Sequence, residues 1–203
     1  GGEQNKYTLP FIDDASVVNS IICATIALKL GLSAAEIAEG MKALEPVAMR
    51  LEVKEGNHGC TLINDSYNSD INSLDIALDF MNRRPDHKGR RRTLILSDMF
   101  QSGMEPNALY KEVGDLARKR GVVKFIGIGP AIMENGDMIQ ISEKYFFESV
   151  EEFIHSKVFH SLRDEVILLK GARQFGFDQI TELLVHKVHE TILEVNLNAI
   201  VDN

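Results

Sequence analysis

Residues Arg50-Leu51-Glu52, then Cys60-Thr61-Leu62-Ile63, then Asn64-Asp65-Ser66-Tyr67-Asn68, then Asn72-Ser73-Leu74, decide how this chain folds. The Cys60–Ile63 run is apolar and β-forming, and it stops abruptly in a cluster of hydrogen-bonding side chains. Such a strand delivers a carboxylate, Asp65, to the carboxyl edge of a sheet. In open α/β folds ligands bind outside that edge. A helix opening near Asn72 completes a strand–turn–helix unit.

Outward from this block the pattern alternates. Short apolar runs predict strands at Leu51–Lys54, Cys60–Asn64, Thr93–Ser97, Lys124–Ile128, Met138–Ile141 and Val166–Lys170. The middle ones are continuous rather than alternating, as parallel strands covered on both faces are. Between them, Leu74, Ala77, Leu78 and Met81 share one helical face, as do Leu109, Val113, Leu116 and Ala117. Ser149 and Glu152 form a capping-box pair ahead of Phe153, Ile154 and Phe159, and a last helix is predicted from Asp178 to Val188. The expected fold class is α/β, a doubly wound and mostly parallel sheet with flanking helices, over residues 47–189. Ahead of it, a helix from Asp14 to Gly31 is apolar around nearly its whole circumference, which predicts burial on all sides. A second helix opens at Ser33 with Glu36 completing a capping box and ends near Leu44. Two helices cannot bury the first, so residues 1–46 are expected to be the tail of a larger domain.

The 203 residues suffice for one domain and part of another, and 44% hydrophobic with 26% charged content is ordinary for a globular protein. A net charge of -8 argues against nucleic acid as partner. Arg83, Arg84, Lys88 and Arg90 to Arg92 form a local basic exception. With no aromatic residues interleaved, a solvated loop is preferred there over a phosphate patch. Cys23 and Cys60 read as buried small hydrophobes in a reducing compartment. The six histidines show no metal-ligand spacing, so no metal is expected on this chain's own residues. Ile21 to Leu30 is too short to span a bilayer, and without a secretory leader a cytoplasmic protein away from membranes is expected. Gly127-Ile128-Gly129-Pro130 lacks the third glycine of a dinucleotide fingerprint and reads as a tight turn.

The order Arg-Leu-Glu, hairpin, Asp-Ser-Tyr-Asn, Ser-Leu resembles the start of the C-terminal domain of the Mur ligases. Within that family it is most similar to members that add D-alanyl-D-alanine to the UDP-N-acetylmuramoyl-tripeptide precursor of peptidoglycan. Leu96-Ser97-Asp98-Met99-Phe100-Gln101-Ser102-Gly103 resembles the family's Gly-Asp-Met-Leu-Glu-Leu-Gly run, and Leu169-Lys170-Gly171-Ala172-Arg173 its Val-Lys-Gly-Ser-Arg. The stretch Glu194 to Ile200, within residues 190–203, resembles the first strand of alanine racemases. Together these imply a slice of a bifunctional ligase–racemase, with pyridoxal phosphate confined to the racemase part.

The resemblance implies ATP-dependent activation of the tripeptide as an acyl phosphate, with ATP and Mg bound mainly by the family's central domain. No G-x-x-x-x-G-K-[ST] run occurs in the sequence, so no catalytic set is complete and the chain alone is expected not to ligate. Asn19 matches the second asparagine of the family's His-Asn-x-x-Asn motif, which touches adenine, although Ala15-Ser16 stands where His-Asn is usual; the alternative is a helix-surface Asn. Arg50 matches the arginine that reaches the ATP phosphates, with Met49 in place of the usual glycine; the alternative is a salt bridge to Glu52. Asp65 matches the acidic residue that contacts the ribose hydroxyls or lies at the hinge beside them; the alternative is a helix or turn cap. Asn68, Asp98, Lys170 and Arg173 fall on the acceptor side, where the cations suit a dipeptide carboxylate or the tripeptide's charges. A solvated basic turn is the alternative for Lys170 and Arg173. Departures at Ser69-Asp70-Ile71, Ser97, Gln101 and Ala172 keep two other classes open: a stand-alone flavodoxin-like module for nucleotide or flavin, and a rigid spacer in a two-enzyme chain.

Overall fold

A computed structural model describes residues 6–10, 14–44, 50–84, 89–100 and 102–185. Strands β1 (Glu52–Glu55), β2 (Thr61–Asp65), β3 (Arg91–Ser97), β4 (Lys124–Ile128), β5 (Glu143–Phe147) and β6 (Glu165–Lys170) form one sheet in the order β1-β2-β6-β3-β4-β5. Every neighbouring pair is parallel except β1–β2. The expected α/β class and mostly parallel, doubly wound arrangement are what the chain adopts.

Side chains alternate across the sheet as the two-residue period requires. Leu94, Leu96, Val166 and Leu168 face one core, with α3 (Ile71–Arg83) and α4 (Pro106–Lys119) laid over them. Ile95, Ile167 and Leu169 face the other, beneath α6 (Val150–Ile154) and α8 (Asp178–Leu184). In α3 the predicted stripe of Leu74, Ala77, Leu78 and Met81 is fully buried. This two-sided winding fixes where a site can form. Strands β2 and β3 leave the carboxyl edge toward one face, and β6 between them leaves toward the other. Crevices at such switch points are where α/β sheets take ligands.

Several expectations need correction. Met138–Ile141 is not a strand: a 3-10 turn at Gly136–Met138 follows α5 (Pro130–Glu134), and the edge strand is β5. Ile139 is buried because this loop lies against α4, where a Cβ on Gly114 would come within 2.9 Å of the Ile139 Cα. Its apolar content reflects helix contact, not sheet pairing. Phe159 is not on the helix headed by Ser149. That helix, α6, stops at Ile154, and Ser156 caps a separate α7 (Lys157–His160). Glu152 accepts from the Glu148 amide, so the second half of the capping box does not close on Ser149. The last helix ends at Leu184 because Val185 is extended and bridges to Gly56; residues 186–188 lie outside the described residues, as does the racemase-like stretch at 190–203.

The basic run is structural wherever it is described. Arg90 donates to the Thr61 hydroxyl at 2.9 Å and the Glu165 carbonyl at 3.1 Å, Arg91 pairs with Glu143, and Arg92 donates to Asn82 at 2.9 Å. All three sit at the amino edge of the sheet, opposite the crevices. There Lys124 and Glu165 form a buried pair at 2.5 Å.

Ahead of the sheet, α1 (Asp14–Lys29) and α2 (Ala34–Lys42) meet through Ala24, Ile37 and Met41. The Ser33 capping box is present, with the Glu36 amide donating to the Ser33 hydroxyl and the Ser33 amide to the Glu36 carboxylate. Burial of α1 on all sides is not realised: Ile21 is 60% exposed, and Val18, Ile22 and Ile26 are about as open. Cys23 is likewise exposed, against expectation, whereas Cys60 is buried and burial pushes its thiol up.

Candidate functional site

The site is built at the carboxyl ends of β2 and β6, next to the start of β1. Parallel register sets Asp65, the last residue of β2, beside Lys170, the last of β6. Side chains paired this way rise from the same face of the sheet. Lys170 Nζ reaches Asp65 Oδ2 at 2.9 Å and also donates to the Asn68 carbonyl. The Lys170 side chain is 1% exposed and that of Asp65 14%, so this ion pair is largely desolvated. Burial pushes the Asp65 carboxyl above its ordinary value; the Lys170 charge and hydrogen bond, the Leu51 amide and the Arg50 charge reduce the rise without cancelling it.

The chain just beyond β2 is held by its own side chains. Buried Asn64 accepts from the Ser66 hydroxyl at 2.6 Å and the Ser66 amide at 3.2 Å, a local turn that sends Tyr67 and Asn68 outward. Asp70 then caps α3, accepting from the Ser73 amide at 2.9 Å and its hydroxyl at 2.6 Å. Partial burial pushes the Asp70 carboxyl up, but the Ser73 bonds and the Lys170 charge outweigh it and hold the group below its ordinary value.

On the other side of this turn stands Arg50. Glu52 pairs with Asn64 in the antiparallel register, so the chain before β1 lies alongside the end of β2. Leu51 adopts φ 51, a left-handed conformation, and Arg50 turns back so that its guanidinium lies 4.7 Å over the Tyr67 ring. Arg50 is exposed and Tyr67 is 39% exposed. A cation and a carboxylate thus meet at one mouth, with the Tyr67 ring beneath the cation.

Of the sequence-predicted residues, Arg50, Asp65, Asn68 and Lys170 come together here. Lys170 is turned inward: its ammonium is taken up by Asp65 and the Asn68 carbonyl. Asp98 is elsewhere. It is buried between β3 and β4, accepting from the Ile132 amide at 2.7 Å and the Ala131 amide at 3.2 Å, and so fixes the start of α5. A Cβ on Gly129, at φ +133, would lie 2.5 Å from its carboxyl carbon, so the link from β4 to α5, which is Gly129 alone and not the expected Gly127–Pro130 turn, is built around this carboxylate. Tyr110, whose hydroxyl faces Asp98 at 3.5 Å, has its phenol pushed up to about 12 by burial. Arg173 is exposed on the turn after β6, which the Ser97 hydroxyl clips to β3 by accepting from the Ala172 amide at 2.9 Å. Asn19 is exposed on α1 and lines a cavity of about 460 Å³ with Ser16, Cys23, Glu36 and Gly40.

Tyr67 joins this candidate site in the structure, and sequence reasoning does not find it. An aromatic residue two places after a strand-ending Asp signals nothing until β1–β2 pairing brings Arg50 above it. Among the described residues no group of three or more His, Cys, Asp or Glu could hold a metal ion, and no helix among them is long and apolar enough to cross a membrane. Arg50 brings a planar cation and Asp65 a hydrogen-bond-accepting carboxylate to this mouth.

Residues 49–173 match the family described as Mur ligase, glutamate ligase domain. The UDP-N-acetylmuramoyl-tripeptide--D-alanyl-D-alanine ligase of Escherichia coli is 23% identical over 177 residues, covering 87% of this chain and 38% of that protein. Its namesake from Buchnera aphidicola is 25% identical over 187 residues, covering 90% and 39%. The chain therefore spans about two fifths of the length of these curated relatives. Among solved structures, MurF from Acinetobacter baumannii superposes with a TM-score of 0.67 at 20% identity, over 87% of this chain and 39% of that one. The MurF ligase of Thermotoga maritima in complex with ADP gives 0.66 at 15% identity, over 85% and 38%. The fold, the block around Arg50 and Asp65, and the match over most of the sheet lead to one assignment: this chain belongs to the Mur ligase family and carries its C-terminal domain.

Proposed function

We propose that this chain is part of an ATP-dependent ligase that joins D-alanyl-D-alanine to UDP-N-acetylmuramoyl-tripeptide, and that its sheet domain acts as a lid on the nucleotide. One observation carries the reading: Arg50 and Asp65, separated by a hairpin in sequence, meet at the same mouth of the sheet. A guanidinium binds phosphate oxygens through its planar fork, and a carboxylate accepts ribose hydroxyls. On this reading Arg50 leaves the Tyr67 ring when the triphosphate arrives, and Asp65 anchors the sugar. ATP and Mg are held mainly by the central domain, of which residues 1–46 are the end and whose adenine contact includes Asn19.

The tripeptide carboxylate takes the γ-phosphoryl group of ATP to form an acyl phosphate, and ADP leaves. The dipeptide amine attacks the acyl carbon, the C–O bond to phosphate breaks, and inorganic phosphate and the amine proton leave. Positioning and charge stabilisation supply most of the acceleration in such a step. Closure of the sheet domain keeps water from the acyl phosphate. Arg173 and the exposed Asn68 stand on the acceptor side, where the dipeptide carboxylate is to be bound. Residues 190–203 open a racemase domain, and pyridoxal phosphate belongs there alone. The enzyme works in the cytoplasm, where its precursor is made.

The test is phosphate release by the full-length ligase. ATP hydrolysis should require both UDP-N-acetylmuramoyl-tripeptide and D-alanyl-D-alanine, and Arg50→Ala should lower turnover about tenfold or more, the cost of a lost charge-assisted contact. Unchanged turnover in Arg50→Ala favours a spacer instead.

A further inference from the structure

Lys170 has the attributes of an internal strut. A lysine ammonium has three protons to donate, and Lys170 has three acceptors in reach: Asp65 Oδ2 at 2.9 Å, the Asp65 carbonyl at 3.5 Å and the Asn68 carbonyl. Its side chain is 1% exposed, so no face of the ammonium is left for a ligand. The acceptors belong to the end of β2 and to the turn after it. That turn also carries Tyr67, the seat of Arg50. Lys170 itself is the final residue of β6, a central and fully buried strand. Among the described residues Asp65 is the charged group facing it across the sheet register, the Asp70 cap also feels its charge, and the Arg50 guanidinium lies near the Asp65 carboxylate.

We propose that Lys170 is a positioning residue for nucleotide binding: it ties the Asp65–Asn68 turn to the rigid centre of the sheet and leaves the remaining Asp65 lone pairs for the ligand's hydroxyls. The inference rests on the nucleotide reading of Asp65. It assigns Lys170 an indirect part and removes it from the groups that touch the dipeptide. A buried lysine whose hydrogen bonds are all internal can lower a ligand's dissociation constant only through the groups it holds.

Two measurements test this. In the full-length ligase, Lys170→Met is expected to raise KM for ATP about tenfold, the effect of one charge-assisted hydrogen bond, and to leave KM for D-alanyl-D-alanine unchanged. In an Asp65→Asn background the same substitution should add nothing, because its route to the nucleotide is already cut. A rise in the dipeptide KM, or an ATP effect that adds in full to that of Asp65→Asn, overturns the inference. In the 203-residue chain itself, Lys170→Gln keeps an amide donor near the Asn68 carbonyl, which guards against collapse of the turn. Its Asp65 carboxyl should titrate at higher pH than in the unsubstituted chain, followed by carbon-detected NMR; an unmoved midpoint overturns the inference. The two readings fail differently. Asp65→Asn without effect on KM for ATP sinks the nucleotide assignment, whereas a normal Asp65→Asn effect with a silent Lys170→Met sinks only the strut.

Discussion

Leu51 occupies the left-handed region at φ 51, which costs a residue with a Cβ about 1 kcal/mol. What that strain supports is the return of Arg50 over Tyr67 and the approach of the Leu51 amide to Asp65. The cation–π contact is half-exposed, so Tyr67→Ala should change thermal stability by less than about 1 kcal/mol while freeing the Arg50 guanidinium, seen as loss of protection of its Nε proton in NMR. The two aspartates of the turn are predicted to titrate on opposite sides of the ordinary carboxylate value. Asp65 is raised, mainly by burial, so its folded form keeps a proton that the unfolded chain has lost. Its contribution to stability therefore falls as pH rises from the ordinary aspartate value to its own. Asp70 is lowered by the Ser73 bonds despite partial burial, so its contribution is complete above the ordinary value and is lost as pH falls through its own. Site-resolved carboxyl titration checks both signs, and finding both groups on the same side contradicts the description. At this level Arg50 and Asp65 are legible in the sequence, but the inward turn of Lys170 is not. A basic residue at a strand end reads the same whether it faces solvent or a neighbouring carboxylate; only the β2–β6 register decides.

Helix α3 shows how local signals and packing divide the work of one element. Asp70 caps it, and Asp70→Ala should cost about 1 kcal/mol in chemical denaturation. Leu78, fully buried in the same helix, should cost about 3 kcal/mol when replaced by alanine, since the surrounding core cannot collapse onto the gap. The 3.6-residue stripe by itself makes this helix legible in the sequence. Where apolar residues serve a loop instead, as at Ile139 and Ile141, the pattern misleads, because a plug beneath α4 and a strand draw on the same residue types. The split of the Phe153–Phe159 stretch into α6 and α7 is hidden for a related reason. Phe159 meets Phe153 edge-on at 5.4 Å across the break, so both rings read as one apolar face.

The chain as a whole puts its two charge systems at opposite ends of one sheet. At the amino edge Lys124 and Glu165 are buried together, and Thr93 donates to the same glutamate. Glu165→Gln should cost about 3 kcal/mol by leaving Lys124 only its longer contact to Glu143 at 3.5 Å, whereas Lys124→Met with Glu165→Leu should come within about 1 kcal/mol of the parent or exceed it. Urea midpoints distinguish the two cases. At the carboxyl edge Lys170 is covered, Asp65 is partly open and Arg50 is exposed. The alternating strands and helices make this architecture readable from sequence, but the insertion of β6 between β2 and β3 is not, since it joins segments about a hundred residues apart. That insertion creates the mouth. The central claim is that this chain completes a nucleotide pocket built mainly elsewhere. Calorimetric titration of ATP–magnesium tests it most directly, run on the 203-residue chain and on the full-length ligase. The account predicts saturable binding by the full-length enzyme, weakened by Arg50→Ala, and none by the chain alone; submicromolar binding by the chain alone contradicts it.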